Sequence, residues 1–296
     1  MKLAFLVQCH KAPEQVNALL TALDHPNVTF FIHVDKKSNI GEKILQRENV
    51  HLLPGDLRVD VRWGELSQVY AAINLLSYAL QRGEFDYYWQ ISGQDFPTVS
   101  PQKMLDFLMA DNGRNYINLC NSRYAGTGKT NAFDKRTDIY YPTWMAKRTL
   151  LIKALRVAWV KITGGKTKTH RIFKRKAVDQ IRPCFGSCWW CLHTDFVSYG
   201  MAYIENHPEF SAFFKHSLCP DEAFFQTLFM GSPYAETQAE YLHYIDWSGG
   251  GSSPKFLGVS DYDAIVQSKK FMARKIDADF ELIARLTAQL DDNAAV

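Results

Sequence analysis

The first third of the chain alternates short apolar runs with longer stretches in which apolar residues recur at helical spacing. The short runs are rich in aromatic and β-branched residues, and they predict strands at residues 3–8, 29–34, 50–53, 87–91 and 116–120. The longer stretches predict helices at residues 13–23, at residues 67–81 and from Pro101 onward, with Ser100 as N-cap. This repeated strand–helix–strand order predicts an α/β fold with a Rossmann-like, mostly parallel sheet flanked by helices.

The pattern after residue 120 is less regular. Residues 121–142 and 164–169 are polar and predict loops. Helical spacing predicts helices at residues 149–162, 195–206, 221–228 and 279–290, and an apolar run predicts a strand at residues 188–192. The first of these helices carries Lys153, Arg156 and Lys161 on its polar side.

Composition supports one large domain. The chain has 296 residues, of which 47% are hydrophobic, and this is enough to bury a sizeable core. We therefore expect a single domain over residues 1–296. No apolar run reaches the length of a membrane span, so we expect a cytoplasmic protein or one peripheral to the inner face of the membrane.

The net charge of +3 is unevenly distributed, because residues 147–182 carry many Lys and Arg and one acid, Asp179. Two interpretations of the basic, aromatic stretch 143–176 stay open. It contacts an anionic membrane, or it is a solvated surface. No nucleic-acid-binding motif accompanies it, so no nucleic acid partner is expected.

The six cysteines do not predict a metal site. Three of them are close in sequence, but alternation along the predicted strand points Cys188 and Cys191 to opposite faces, which is poor geometry for one zinc ion. We interpret the cysteines as buried free thiols.

Polar residues follow the predicted strands at the carboxyl edge of the sheet, where open parallel sheets bind their ligands. His10 follows the first strand. Asp35 closes the second, either accepting hydrogen bonds from a nucleotide or capping a turn with Lys36 and Lys37. Near the next strand end, Gly93 suits close approach of a ligand to the backbone, and Asp95 is the acid beside it.

Metal-dependent GT-A enzymes place an Asp-x-Asp motif near the position of Asp95, and here that position has one acid. The Asp-x-Asp pairs at residues 261–263 and 277–279 lie at predicted helix starts, where N-capping explains them. We therefore expect no metal and no other cofactor. Without a metal, cationic side chains must neutralise a leaving diphosphate, and the candidates are Lys255, Arg274 and Lys275.

Glu222 lies in the first turn of the predicted helix 221–228, after Pro220. The helix dipole favours a charged carboxylate there, so Glu222 is either a general base or a capping residue. Residues 126–130 resemble part of a P-loop, but the required earlier glycine is replaced by Arg123. A P-loop NTPase built around Lys129 is therefore a weak alternative.

Several ordered blocks along the chain resemble the core-2/I-branching β-1,6-N-acetylglucosaminyltransferase family, which also includes protein O-xylosyltransferases. The blocks are residues 7–11, 32–38, 63–64, 92–97, 186–189, 220–222, 244–247 and 271–277. The resemblance implies a GT-A type fold and a metal-independent, inverting transfer from a UDP-sugar donor to a hydroxyl of a glycan or lipid-linked oligosaccharide. It also implies a nucleotide-binding half at residues 1–120 and an acceptor-binding, catalytic half at residues 121–296.

The resemblance also implies roles for individual residues. Glu222 is expected to be the general base, and Lys275 to hold the diphosphate. Donor binding is expected of Gln8, His10, Asp35, Trp63, Gly93, Asp95, Lys255, Arg274 and Lys275, and acceptor binding of Ser187, Trp189 and Trp247. The family's second basic residue aligns near Ser252, with Lys255 as a nearby substitute. N-acetylglucosamine and xylose are the expected sugars. A catalytically silent sugar- or nucleotide-binding protein on the same scaffold is the alternative.

Overall fold

The computed structural model of the chain describes residues 1–120, 136–137, 141, 149–164, 181–249 and 253–292. Its main sheet has seven strands in the order β3-β2-β1-β4-β7-β6-β8, and only β7 runs against its neighbours. These strands are β1 Leu3–Cys9, β2 Val28–Val34, β3 Val50–Leu52, β4 Tyr87–Ser92, β6 Asn115–Tyr116, β7 Cys191–His193 and β8 Gln238–Ala239. Strands from both predicted halves thus share one sheet.

A smaller sheet continues from the carboxyl edge of the first. Its central strand, β10 Met272–Arg274, pairs antiparallel with β5 Asp95–Pro97 and parallel with β9 His243–Ile245. Because β5 follows β4 after a turn at residues 93–94, this sheet brings the chain around residue 274 to the end of the main sheet.

Helices cover both faces of the main sheet. The described helices are α1 Pro13–Ala22, α2 Ser67–Leu80, α3 Pro101–Ala110, α4 Leu150–Gly164, α5 Thr194–Asn206, α6 Pro208–Phe214, α7 Phe224–Met230, α8 Tyr262–Gln267 and α9 Phe280–Asp292, and α4 belongs to neither of the two cores of the sheet. Alternate β1 residues enter different cores: Phe5 packs with residues of α1 and α9, whereas Leu6 packs with α2, α5 and α7. Burial on both faces explains why the strands are apolar runs.

The structure confirms the predicted α/β class with a mostly parallel sheet. The predicted helix 221–228 is wrong at its start, because residues Pro220–Glu222 form a 3₁₀ turn and α7 begins at Phe224. The predicted strand 188–192 is wrong in its bounds, because β7 spans Cys191–His193; at Cys188, the carbonyl instead accepts a hydrogen bond from Gln90 Nε2, at 3.1 Å. The predicted strand 116–120 reduces to the two residues of β6 and a bridge at Cys120.

Other predictions are confirmed or lie outside the described residues. Helix α4 confirms the predicted helix 149–162, although the side chain of Arg156 is outside the described part. Residues 126–130, most of 121–142, 165–169 and Ser252 are outside it as well. Cys9, Cys188, Cys191 and Cys219 are buried free thiols as predicted. The prediction of burial is wrong for Cys120, which is exposed, and for Cys184, which is only partly buried. None of the described helices has the length and apolarity needed to cross a bilayer.

Candidate active site

The carboxyl ends of β1, β2 and β4 lie side by side. In register, Gln8 of β1 is opposite His33 of β2 and Ser92 of β4. The side-chain amide nitrogen of Gln8 is buried and has no hydrogen-bond partner within the described part of the chain. An unsatisfied buried donor is costly, so Gln8 is suited to donate to a ligand bound at this edge.

Asp35 caps the turn that follows β2. Its carboxylate accepts hydrogen bonds from the backbone nitrogen of Lys37 at 2.9 Å and from Lys37 Nζ at 3.2 Å. Arg58 holds the same turn by donating to the carbonyl oxygens of Val34, Asp35 and Ser38 at 2.7–2.8 Å. The capping interpretation of Asp35 is therefore confirmed, and its contact with a donor stays a prediction.

Basic residues from distant parts of the chain gather beside this edge. Burial, followed by the positive charge of Lys11, lowers the pKa of His10, and Lys275 and Lys37 act in the same direction. Lys11 Nζ lies 2.5 Å from Asp277 Oδ1, which joins the segment after β1 to the segment after β10. Lys11, Lys37 and Lys275 thus bring positive charge close to His10 at the sheet edge, where Lys11 and Lys37 are also paired with carboxylates.

Asp95, Arg274 and Trp189 form a buried stack. Asp95 is 0% exposed, and its carboxylate accepts hydrogen bonds from Arg274 Nη1 at 2.7 Å and from the backbone nitrogen of Ser92. The Arg274 guanidinium also donates to Ser92 Oγ and lies 4.0 Å from the centre of the Trp189 ring. These three predicted ligand-binding side chains contact one another, and their roles in binding the donor or the acceptor stay a prediction.

Gly93 is required by packing against the protein itself. A Cβ atom at this position would lie 2.8 Å from Val16 Cγ2 of α1 and 3.0 Å from Cys9 Cβ. A close approach at Gly93 is therefore made by α1 and β1, and the predicted approach of a ligand to its backbone stays a prediction.

Glu222 ends the 3₁₀ turn that precedes α7. The turn begins after Cys219, whose φ of 51° reverses the chain, and its first residue is Pro220. The Glu222 carbonyl accepts a hydrogen bond from Gly186 N at 2.8 Å. Glycine is required at position 186, because a Cβ atom there would lie only 1.7 Å from the Asn118 carbonyl oxygen.

The position of Gly186 places Glu222 at the carboxyl edge. Because β7 is antiparallel to β4, the chain before β7 continues past the carboxyl end of β4. Residues 186–188 lie in this extension, and Gln90 of β4 binds the Cys188 carbonyl. Glu222 therefore belongs to the same edge as Gln8 and Ser92.

Two charged residues beside Glu222 were missed by the sequence analysis. Arg136 Nη1 forms an ion pair with Glu222, whose side chain is 29% exposed. Burial, followed by the charge of Glu222, raises the pKa of Asp221 to about 7, and Asp221 is hydrogen-bonded to Cys188. Asp221 was visible in the block at residues 220–222, whereas Arg136 lies in a polar stretch without a pattern that identifies it.

Residues 59–64, here named the connector, join the Asp35 turn to the Glu222 turn. At one end, Val59 N donates to His33 Nε2 at 2.9 Å, and Val59 O accepts from Lys36 N at 3.0 Å. At the other end, Gly64 O accepts from Cys219 N at 3.1 Å, and Gly64 has a φ of 78°. Trp63 therefore lies between the predicted nucleotide pocket and the predicted base, and it is 37% exposed.

The remaining predicted residues lie on two other segments of this edge. β9 and β10 are parallel, so the segments that follow them leave the sheet at the same end. Lys275 lies in the segment after β10, and Trp247, which is exposed, lies in the segment after β9. Lys255 Nζ is 2.5 Å from Asp261 and 3.9 Å from Asp246.

Ser187 lies next to Gly186 in the segment that holds Glu222. Its backbone is held by Asn118 Oδ1 at 3.0 Å and Gln226 Nε2 at 2.6 Å. These contacts fix Ser187 at the edge and leave its predicted acceptor role untested. Among the described residues, no three His, Cys, Asp or Glu side chains cluster closely enough to hold a metal ion. Metal independence stays a prediction.

By its fold and its candidate site, the chain is an α/β protein with a polar, basic site at the carboxyl edge of a mostly parallel sheet. Residues 3–268 match the family model described as Core-2/I-Branching enzyme. The chain therefore belongs to the Core-2/I-branching enzyme family, as the sequence blocks indicated, and the predicted GT-A fold class is confirmed.

Similar proteins agree with this family. Xylosyltransferase oxt of Drosophila pseudoobscura pseudoobscura is 26% identical over 94% of this chain and 32% of its own length. Xylosyltransferase 1 of Rattus norvegicus is 24% identical over 99% of this chain and 36% of its own length. The chain thus spans about a third of these relatives. The crystal structure of mouse xyloside xylosyltransferase 1 is 11% identical, covers 92% of this chain and 97% of that one, and has a TM-score of 0.38. The family and the curated relatives support a glycosyltransferase.

Proposed function

We propose that the chain transfers a sugar from a UDP-sugar to a hydroxyl of a glycan acceptor, with inversion, without a catalytic metal and with Glu222 as general base. The observation that carries the proposal is the position of Glu222. Backbone hydrogen bonds hold its turn to Gly64 and Gly186, at the sheet edge where Gln8, His10 and Asp35 lie. In this family, we expect that edge to receive the donor.

The proposed reaction is one in-line displacement. Glu222 accepts the proton of the acceptor hydroxyl while the acceptor oxygen forms its bond to the anomeric carbon. The bond from that carbon to the UDP oxygen breaks, and UDP leaves with the electron pair. An α-linked donor then gives a β-linked product. A partly buried carboxylate is a suitable base for this step, and the Arg136 pair orients it before the acceptor binds.

Lys275 is our first candidate for holding the leaving diphosphate. Its charge acts on His10 at the edge, and its Nζ lies 5.0 Å from the centre of the Phe256 ring. Arg274 is less suited because Asp95 and Trp189 already engage its guanidinium. Lys255 can assist only by exchanging its contact with Asp261.

The substrate pockets follow from the same arrangement. Uridine is expected at Gln8, His10 and Asp35, with Trp63 towards the transferred sugar. The acceptor is expected between Ser187 and Trp247, where the exposed indole can cover the C–H face of a sugar. N-acetylglucosamine and xylose are the proposed sugars, and the names of the relatives make UDP-xylose the first donor to test. A cytoplasmic location stays part of this proposal.

The test is UDP release from a panel of UDP-sugars, with a mixture of oligosaccharide acceptors and excess EDTA. We expect release with one donor, and a loss of about 10²-fold or more in Glu222→Gln while UDP still binds. Glu281→Gln, which changes an exposed carboxylate on α9, is the matched control and should retain activity. Equal turnover in both variants would refute the base assignment, and absence of UDP binding would refute the donor.

One observation favours a second candidate. Because Arg136 already occupies the Glu222 carboxylate, the chain could be a sugar- or nucleotide-binding protein without turnover. UDP binding with no release for any donor and acceptor, in both wild type and Arg136→Gln, would support this alternative.

A further inference from the structure

Helix α4 presents an apolar stripe to solvent. Leu151, Leu155, Ala158 and Ile162 follow the spacing i, i+4, i+7 and i+11, which places them along one side of the helix. All four are exposed, and even Leu155 has 42% of its surface accessible. Leu150 and Val157 are exposed as well, but they lie about 100° around the helix from the stripe, on the side of Lys161. Such a stripe on a surface helix is typical of a binding surface.

The helix is attached close to the Glu222 turn. Trp159 of α4 packs against Tyr141, and Leu218 packs against the same Tyr141 ring. Leu218 N also donates to the carbonyl of Arg136, the residue that pairs with Glu222. Leu218 directly precedes Cys219, after which the 3₁₀ turn of Glu222 begins, so α4 is connected to that turn through Tyr141 and Leu218.

The charge of the sequence segment that contains α4 indicates the chemistry of its partner. Residues 147–176 contain eleven Lys and Arg and no Asp or Glu. Lys153 and Lys161 of this set lie on α4 and are exposed. An apolar stripe within a strongly basic segment matches an interface with an anionic headgroup layer over a hydrocarbon interior. The same charge disfavours pairing with a second copy, because two such segments repel each other.

We propose that α4 binds the surface of an anionic lipid bilayer, with its apolar stripe in the interfacial layer and its basic residues at the headgroups. The helix lies in the membrane plane and does not cross it. Lipid binding itself does not depend on the proposed function. The purpose of lipid binding rests on the proposed function, because a membrane-bound α4 would present a lipid-linked glycan to Glu222.

The experiment is co-sedimentation of the full chain with phosphatidylcholine vesicles, with and without phosphatidylglycerol. We expect binding to the anionic vesicles, weakened by high salt. Leu151→Glu/Leu155→Glu should lower the partition coefficient about tenfold or more. The matched control, Met109→Glu/Phe280→Glu, changes two comparably exposed apolar residues on other helices and should bind as the wild type does. Lys153→Glu/Lys161→Glu leaves the stripe intact and should also weaken binding.

Three outcomes would overturn the proposal. They are no binding to anionic vesicles, equal loss in the control and α4 variants, and concentration-dependent dimers that the α4 variant abolishes. UDP release with a soluble acceptor is measured on the same samples. Normal UDP release without vesicle binding would reject the proposal of membrane binding and retain the proposed transferase. Vesicle binding without UDP binding would retain membrane binding and reject the proposed transferase.

Discussion

Arg274→Met removes the cation from a carboxylate that has no contact with solvent. Asp95 is 0% exposed and lies 2.7 Å from Arg274 Nη1. Removing one partner of a buried ion pair costs about 3–5 kcal/mol, because the remaining charge is left uncompensated. Loss of the guanidinium over the Trp189 ring adds to this cost. We expect the free energy of unfolding to fall by about 4 kcal/mol.

Urea unfolding followed by circular dichroism measures this loss, as a fall of roughly 1–2 M in the midpoint. Arg285→Met is the matched control, because Arg285 lies 4.0 Å from the Tyr262 ring, the distance that separates Arg274 from Trp189, but is solvent-exposed. It should cost less than about 1 kcal/mol. Arg274→Met/Asp95→Asn removes both charges and should recover part of the lost stability.

The same variants separate a structural role of Arg274 from a role in binding the diphosphate. If the stack is structural, folded Arg274→Met binds UDP within about threefold of wild type, a difference of under 1 kcal/mol. Our reasoning would be refuted if Arg274→Met were as stable as Arg285→Met, or if the double variant were less stable than the single one.

Three further predictions concern the site and its support. Lys275→Met should weaken UDP binding about tenfold, because a charge-assisted contact to phosphate is lost, and isothermal titration calorimetry measures this. The control variant Lys269→Met should bind UDP as the wild type does. Equal affinities of the two variants would show that Lys275 does not belong to the site. Gly186→Ala should lower both stability and turnover, because its Cβ must move the Asn118 carbonyl and with it the bond to Glu222; unchanged turnover at full stability would contradict this coupling. Burial lowers the pKa of His243 to about 4, and neither of its ring nitrogens has a partner among the described residues. As pH falls, His243 is therefore protonated in the unfolded chain before it is protonated in the folded chain. The free energy of unfolding decreases as pH falls from about 6.5 to about 4. His243→Phe should reduce that loss by up to about 3 kcal/mol in urea unfolding at pH 5 and below, with little change at pH 8; an identical pH dependence would refute the assignment.

The parts of the fold that could be predicted are those with a local cause. β1, β2 and β4 are buried on both faces, so each is a continuous apolar run that is visible in the sequence. Their ends place His10 and Asp35 at the edge without further information. Strands β6 and β7 have two and three residues, too few for a periodic pattern to appear.

The features of the site that the sequence analysis missed come from long-range contacts. Arg274 pairs with Asp95, 179 residues away, and no local pattern reports such a pair. Glu222 was placed in an α-helix because Pro220 and an apolar run follow helical rules. The left-handed Cys219 and the bond from Gly186 instead make a separate 3₁₀ turn. Only the folded chain brings Arg136 to Glu222.

The contacts of the connector restrict the number of its residues more than they restrict which amino acids it contains. Four of its hydrogen bonds, to His33, Lys36, Lys37 and Cys219, use the connector's backbone atoms and survive a change of side chain. Asp60 differs, because its carboxylate pairs with Lys37 and Arg62. Gly64 is an exception because of its φ of 78°, and Trp63 is another if it binds the donor. An added residue would displace Gly64 from Cys219 by up to about 3.8 Å, more than a hydrogen bond tolerates. Laboratory or natural evolution can therefore diversify this stretch by substitution but not by insertion, and libraries that alter donor choice should keep its residue count fixed.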